Sequence, residues 1–151
     1  APLACVVTTP KIAATLAQRI HFNTFGGNPI SCAIGRKVLE IIDREGYQQR
    51  CVVLGERLLA GMKKLMAKYP VIGEVRGKGL MVALEMVKDR TTKEPDRETT
   101  ARVFERAKEL GVLIGKGGLY GNVIRITPPM CISEADVDFT LDVLDQAYSE
   151  G

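Results

Sequence analysis

A chain of 151 residues that is 46% hydrophobic and 26% charged has the composition of a globular protein with a core, and not that of a disordered one. Its net charge of +3, its 5% aromatic content and its lack of tryptophan argue against a nucleic-acid binder, which usually combines clustered arginines with stacking aromatics. No run of about eighteen apolar residues is present, so the sequence predicts no membrane-spanning helix.

The first half of the chain combines an apolar start with two long helical patterns. Asn28-Pro29 is a strong helix start, because asparagine caps a first turn and proline is favoured at the first helical position. In chain order, the sequence predicts a strand over 3–8, a short helix from Thr9-Pro10 to about Ala17, a polar loop over 19–27, a helix from Asn28 to Gly46, and a second long helix that Tyr69-Pro70 ends.

The second half changes to the period and the turn residues of strands. In order, it predicts strands over 72–76 and 80–87 joined through Gly77-Lys78-Gly79, a loop over 88–98, a helix over 99–110, a strand over 112–114, a glycine-rich turn over 115–121, a strand over 123–127 and a final helix. Ser133, with Asp136 three places on, resembles a capping box for that last helix.

These elements place the chain in the α/β class. From about residue 47 onward they predict an α+β unit, a small and mainly antiparallel sheet with helices on one side. The strand over 3–8 has no evident partner, and a lone strand leaves its backbone groups unsatisfied. The unpaired strand is therefore a first indication that the chain is a truncated protein.

The most informative segment runs from His21 to Pro29, where a hydroxyl and a pair of glycines lead directly into a helix N-terminus. Unpaired amides and the helix dipole favour anions at such a place. One interpretation is therefore a phosphate held by Thr24 and nearby amides. The other is an Asn-capped helix after a loop, and the residues alone leave both open.

Arg125 is the second candidate, because it stands among apolar residues just before Pro128-Pro129. An arginine is costly to bury without a partner, and its fork binds a carboxylate through two charge-assisted hydrogen bonds. Strand alternation allows a simpler interpretation, in which Arg125 points away from Ile124 and Ile126 into water. The residues alone leave these two alternatives open as well.

The glycines around Lys78 indicate a tight turn or a bulge between strands, with a phosphate-binding loop as the less favoured alternative. None of the ten lysines stands out as a Schiff-base lysine, which needs a desolvated and cation-flanked amine. The scattered cysteines and the single histidine argue against a zinc site.

Three of these segments, in this order and spacing, resemble the class III aminotransferases, enzymes of fold type I that use pyridoxal 5′-phosphate (PLP). Thr24 to Pro29 is similar to the family's T-[FY]-x-G-N-P signature, Arg76 to Leu80 to its R-G-x-G-L turn, and Arg125 to Pro129 to its R-[IF]-x-P-P segment. The likeness covers nearly the whole chain. Within the family, the strings over 21–29 and 76–81 resemble the alanine–glyoxylate branch.

The resemblance implies PLP as the cofactor and a homodimer as the intact enzyme. Thr24, with Phe25 and Gly26 beside it, would bind the PLP phosphate of the neighbouring subunit. Arg125 would hold the α-carboxylate of the amino-acid or 2-oxo-acid substrate. The lysine that carries PLP in the family lies just upstream of the segment that matches Ala1 to Ala4, so we expect no catalytic residue in this chain and no activity from it alone.

The resemblance also implies a domain organisation and a reaction. Residues 1–27 would be the tail of the large PLP-binding domain, 28–46 a long interdomain helix, and 47–151 the C-terminal small domain. The expected reaction moves an amino group from an amino acid, alanine in this branch, to an oxo acid such as glyoxylate, and the expected compartment is the mitochondrion.

Two other interpretations of the chain are a free-standing α+β binding module and a non-catalytic paralogue of the enzyme. The binding module requires residues 3–8 to pair fully in the chain's own sheet. An enzyme part instead predicts that this segment lacks strand neighbours within the chain.

Overall fold

The computed structural model describes residues 1–150, which form two compact units. The first unit is Ala1–Gly46, and the second begins at Tyr47. All strands of the described chain lie in the second unit. Within residues 1–150, no helix combines the length and the hydrophobicity that a bilayer crossing needs.

The first unit contains two helices, α1 (Pro10–Leu16) and α2 (Pro29–Arg44). The Asn28 side chain accepts a hydrogen bond from the amide of Ser31 at 3.0 Å, so the cap predicted for α2 is confirmed. Gly46 follows α2 with a φ of +63°, the left-handed conformation that commonly ends a helix. Ser31 is the one buried residue of this unit, which therefore has no apolar core of its own.

Residues 3–8 form no strand, and the strand predicted there is wrong. An extended segment becomes a strand only when a neighbour takes up its amide and carbonyl groups, and the first unit contains no strand to do so. The apolar side chains of this segment, Leu3, Val6 and Val7 among them, are exposed. A free-standing binding module would instead have paired the segment in its own sheet.

The second unit is a four-stranded antiparallel sheet with three helices. Its elements are α3 (Tyr47–Lys68), β1 (Ile72–Lys78), β2 (Met81–Met86), α4 (Arg97–Glu109), β3 (Gly115–Gly117), β4 (Val123–Ile126) and α5 (Glu134–Ser149). The strand order is β1-β2-β4-β3, so the sheet predicted from the sequence is confirmed in class and direction.

The core of this unit lies between one face of the sheet and the three helices. Alternate residues of β2 and β4 point into it, as the period of two requires for a sheet with one buried face. The buried sheet residues Val82, Leu84, Met86, Ile124 and Ile126 form one cluster with helix residues that include Leu58, Met62, Val103, Val137 and Leu144. The opposite face of the sheet carries the intervening residues, and Arg125 is one of them.

The glycines around Lys78 belong to the β1–β2 hairpin, whose two-residue loop is Gly79-Leu80. Gly79 has a φ of +54°, which fits the positive φ that the first residue of a type II′ hairpin turn requires. Helix α3 passes so close to this loop that a Cβ on Gly55 would overlap the carbonyl group of Gly79. The turn interpretation is therefore confirmed, and Gly55 provides the space for it.

The strand predicted over 112–114 is wrong, because β3 occupies Gly115–Gly117, where a turn was predicted. The turn is shorter, and Gly118 and Gly121 adopt positive φ values of +84° and +67° within it. This turn places Gly117 opposite Val123, and the register then follows from that pair.

Side chains cap the N-termini of α4 and α5. The Asp96 side chain accepts a hydrogen bond from the amide of Thr99 at 2.9 Å, so α4 begins two residues earlier than predicted. At α5, the Asp136 carboxylate accepts from the amide of Ser133 at 2.9 Å, and the Ser133 hydroxyl accepts from the amide of Asp136 at 3.2 Å. The predicted capping box is confirmed.

Ion pairs on the surface attach α5 to α3 and α4. Arg57 donates two hydrogen bonds to Asp138, at 2.8 and 2.7 Å, and Lys68 donates to Asp145 at 2.7 Å. These donors hold the pKa of each aspartate below its ordinary value. At the end of α5, the hydrogen bond from Arg106 lowers the pKa of Glu150 to about 2.

Acid is expected to destabilise the second unit through these carboxylates. Because their pKa values are lower in the folded state, the unfolded chain binds more protons, and the free energy of unfolding falls as the pH drops from about 5 to about 2. Asp145→Asn should flatten this dependence in urea-unfolding midpoints measured across that range. Asp142→Asn serves as the control, since Asp142 lies on the same helix and pairs with no cation among residues 1–150. Equal pH dependence in both variants would contradict the prediction.

Candidate functional site

The segment singled out in the first unit forms a tight turn before α2. The side-chain oxygen of Asn23 accepts a hydrogen bond from the amide of Phe25 at 3.0 Å, and its carbonyl accepts from the amide of Gly26, also at 3.0 Å. A Cβ on Gly26 would lie 3.2 Å from that carbonyl oxygen, so the turn leaves little room for a side chain. Gly27 then adopts a φ of +70°, which glycine reaches without strain.

Several amides of this turn are not free to bind an anion. Those of Phe25 and Gly26 bond to Asn23, that of Asn28 bonds to the Phe25 carbonyl at 3.1 Å, and that of Ser31 bonds to the Asn28 side chain. The hydroxyl of Thr24, in contrast, is exposed and bonds to no group among the described residues. A phosphate interpretation of this turn therefore depends chiefly on the Thr24 hydroxyl and less on backbone amides than the sequence suggests.

The same turn borders an open groove of about 510 Å³ within the first unit. Residues 2–6 form one side of the groove, and Phe25 and Gly26 lie on the other, whereas Thr24 lies outside its lining. The groove is large enough for a small ligand or for a segment of another chain.

Arg125 lies on β4, in the second unit, and its side chain is exposed on the sheet face opposite the core. Its cross-strand neighbours are small, Ala83 on β2 and Gly115 on β3. No carboxylate of residues 1–150 forms an ion pair with its guanidinium. The side chain is thus neither buried nor neutralised, and its donors are available to a ligand.

A second arginine on the same sheet face, Arg76, differs from Arg125 because carboxylates of the protein bind it. Arg76 on β1 lies opposite Ala83, so a row across the sheet reads Arg76, Ala83, Arg125. Arg76 donates hydrogen bonds to Glu85 at 2.6 Å and to Glu74 at 2.7 Å, and these partners raise its pKa. The row therefore contains one arginine that the protein neutralises itself and one that it leaves for an external anion.

The groove next to Arg125 has a volume of about 330 Å³. Its other residues are apolar or neutral, including Leu113, Gly115, Thr127 and Pro128. Among the described residues that line it, Arg125 alone carries a charge. The lining also includes Leu58 and Val137 of the core between the sheet and the helices, whereas the Arg125 guanidinium lies on the opposite, exposed face of the sheet. A guanidinium exposed in this way can bind a carboxylate through two parallel hydrogen bonds.

The sequence identified Arg125 but missed Ala83 and Gly115, which give it space. Ala83 and Gly115 become neighbours of Arg125 only through the register of the strands, and no local sequence pattern indicates that register. The ten lysines are all exposed in the structure.

Comparisons with known proteins agree with these observations. The sequence profile of the family "Aminotransferase class-III" matches residues 1–148. The mitochondrial alanine–glyoxylate aminotransferase 2 homolog 2 of Arabidopsis thaliana is 46% identical over 149 residues, which are 99% of this chain and 31% of the relative.

Two solved structures extend the likeness to the fold. An aminotransferase from Bacillus anthracis is 40% identical with a TM-score of 0.82, over 87% of this chain and 30% of its own. A PLP-bound amine transaminase from an uncultivated Pseudomonas species is 32% identical with a TM-score of 0.80, over the same shares. The chain thus spans about a third of the length of these relatives. By sequence and by fold, the chain belongs to the class III aminotransferase family.

Proposed function

We propose that this chain is the C-terminal part of a PLP-dependent aminotransferase that moves an amino group from alanine to glyoxylate. The family membership supports the reaction class, and the name of the Arabidopsis relative supports the two substrates. The observation that carries the proposal is the guanidinium of Arg125, exposed on the open face of the sheet and free of any carboxylate from residues 1–150. Alanine and glyoxylate share the carboxylate that such a group recognises.

The residues present fit a PLP phosphate at one position, the hydroxyl of Thr24. This hydroxyl is exposed and able to bond to a phosphate oxygen, while the occupied amides of Phe25 and Gly26 keep the turn in shape. When bound, PLP supplies the electron sink that stabilises charge at the substrate Cα. In the proposed homodimer, Thr24 of one subunit holds the phosphate that serves the neighbouring subunit.

Arg125 has the other role in this proposal. Its fork holds the α-carboxylate of the amino acid or of the oxo acid through two parallel hydrogen bonds, which fixes the direction of the bonds at Cα. Orientation of this kind accounts for a large share of enzymatic rate enhancement, because the entropy cost of orienting the reacting bond has already been met on binding. Both half-reactions use the same contact, since donor and acceptor both carry the carboxylate.

The proton-transferring lysine is proposed to lie outside these 151 residues. All ten lysines of the chain are exposed, and none meets the requirement for a desolvated amine. We therefore propose that the 151-residue chain has no transaminase activity by itself. Activity requires the large domain, to which we assign residues 1–27, with residues 28–46 as the interdomain helix and 47–151 as the small domain.

The first unit supports this assignment through its lack of a core. Most of its apolar side chains, among them Ile12, Leu16, Ile30, Ile34 and Val38, are exposed. Apolar surface of that extent is stable in water only when it is covered by other protein. We propose that the large domain and the second subunit cover this surface. We also propose that the enzyme works in mitochondria, because the Arabidopsis relative is named as a mitochondrial protein.

The proposal predicts that the protein made from the complete reading frame converts alanine and glyoxylate to pyruvate and glycine in a PLP-dependent manner. Pyruvate release can be followed continuously with a coupled dehydrogenase. The purified 151-residue chain, assayed with PLP under the same conditions, should release none. Turnover by the short chain, or the absence of turnover by the complete protein with any amino acid, would overturn the proposal.

A further inference from the structure

Glu85 has the same place in the strand register relative to two arginines of the open sheet face. Ala83 on β2 is the cross-strand neighbour of both Arg76 on β1 and Arg125 on β4. Glu85 lies two residues further along β2, on the same face, and is therefore the diagonal neighbour of each arginine. Diagonal neighbours in an antiparallel pair are about 7 to 8 Å apart, which is within reach of long side chains.

In the structure, Arg76 holds this carboxylate and Arg125 does not. Nη1 of Arg76 donates a hydrogen bond to Glu85 at 2.6 Å and another to Glu74 at 2.7 Å. The Nε of Arg125 lies 3.4 Å from where a Cβ on Gly115 would be, so the guanidinium extends toward β3. Glu85 thus turns to one edge of the sheet and Arg125 to the other.

Glu74 would drive Glu85 toward Arg125 if Arg76 were absent. The two glutamates lie directly opposite each other on β1 and β2. Like charges in opposite positions are destabilising, and the guanidinium of Arg76 offsets this repulsion because it bonds to both carboxylates. Without that cation, repulsion favours side-chain conformations in which Glu85 turns away from β1, and the diagonal arginine on that side is Arg125.

We propose that Arg76 is a positioning residue for substrate binding: by holding Glu85, it prevents this carboxylate from pairing with Arg125 and leaves the Arg125 guanidinium free for the substrate. The inference rests on the proposed function, since it assumes that Arg125 binds the α-carboxylate. A carboxylate of the protein would compete with that of the substrate for the same donors. Arg76 thus acts through Glu85 and has no contact with the substrate.

The experiment measures KM and kcat for alanine in the complete PLP-loaded protein with R76Q, R76K, R125Q and the double variants R76Q/E85Q and R76Q/E74Q. R76Q should raise KM roughly fivefold, because an exposed ion pair at the strong end of its usual range leaves Arg125 free in only about a fifth of the molecules. This increase is far smaller than that expected for R125Q. The kcat should change little, and R76K, which keeps a cation beside Glu85, should stay close to the parent.

The two double variants form a matched pair. Each combines the loss of one positive charge with the loss of one negative charge, so both have the net charge of the parent. Only E85Q removes the carboxylate diagonal to Arg125, since Glu74 lies on β1 with β2 between it and β4. R76Q/E85Q should therefore return KM to the parent value, whereas R76Q/E74Q should keep a raised KM.

A binding measurement gives a second readout that needs no turnover. Propionate has the carbon skeleton and the carboxylate of alanine without the amine, and calorimetry on the same proteins measures its dissociation constant. R76Q should weaken propionate binding by about the factor by which it raises KM, and E85Q should reverse the loss. Far-ultraviolet circular dichroism and the thermal midpoint establish that each variant is folded, and a misfolded R76Q is replaced by Arg76→Met in the same comparison.

The outcomes separate this inference from the proposed function. An unchanged KM in R76Q would overturn the role of Arg76, because another cation, such as Lys93 beside the small pocket that both glutamates border, then holds Glu85. Equal KM values in the two double variants would also overturn it, since position relative to Arg125 would then not matter. If R125Q leaves KM and propionate binding unchanged, the proposed function of Arg125 fails, and the role of Arg76 fails with it.

Discussion

Replacing Arg125 by glutamine is expected to raise the KM of the complete protein for alanine by roughly a hundredfold, since the loss of a charge-assisted bidentate contact costs about 2 to 3 kcal/mol. Arg125 is exposed and has no carboxylate partner among residues 1–150, so the substitution removes a ligand contact and little internal stability. Steady-state kinetics with alanine and with glyoxylate should show the same loss, because both substrates present the carboxylate.

Arg76→Gln is the matched control for this prediction. Arg76 lies on the same face and in the same row across the sheet, but its Nη1 donates to the carboxylates of Glu74 and Glu85. Its loss removes two exposed ion pairs, which contribute little to stability, and no substrate contact. A KM increase of similar size in R76Q and R125Q would mean that KM depends on the total positive charge of this sheet face and that Arg125 has no specific role.

The second large effect is expected in the fold. Gly55→Ala should destabilise the 151-residue chain by about 3 kcal/mol, because overpacking against a rigid neighbour forces backbone shifts. The added Cβ would overlap the carbonyl group of Gly79 in the β1–β2 hairpin loop, and a backbone carbonyl cannot rotate away as a side chain can. Urea unfolding followed by circular dichroism measures the loss.

Gly61→Ala, in the same helix, is the control that isolates this cause. Its Cβ would meet the side chain of Leu141, which can change rotamer. Alanine also gains about 1 kcal/mol over glycine in a helix interior, and the two effects should largely cancel. Equal destabilisation in G55A and G61A would show that close approach of α3 to the hairpin loop is not the reason for the glycine.

The local elements of this protein follow from the sequence because their causes are local. Asn28 caps α2, Gly46 ends it, and Ser133 with Asp136 forms the capping box of α5, each through contacts within a few residues. The hydrophobic period predicts which face of α3 is buried for the same reason. Family membership was likewise readable from three short segments, and the family comparison confirms it.

Strand pairing, by contrast, was decided by the tertiary structure. The apolar run over 3–8 has the composition of a strand, but no strand of the first unit pairs with it. Strand β3 lies three residues later than predicted, because the turn at Gly118 and Gly121 sets its register against β4. Hydrogen bonds between strands join residues that are distant in the chain, so composition alone does not determine them.

The same distinction applies to the candidate site. The sequence by itself identified Arg125 and Thr24 as residues whose chemistry suits a carboxylate and a phosphate. Only the tertiary structure decided that Arg76 is neutralised by Glu74 and Glu85 while Arg125 lies free over Gly115. The physical reason is that a charge becomes available or unavailable through its neighbours across the sheet, and those neighbours follow from a register that no local pattern encodes.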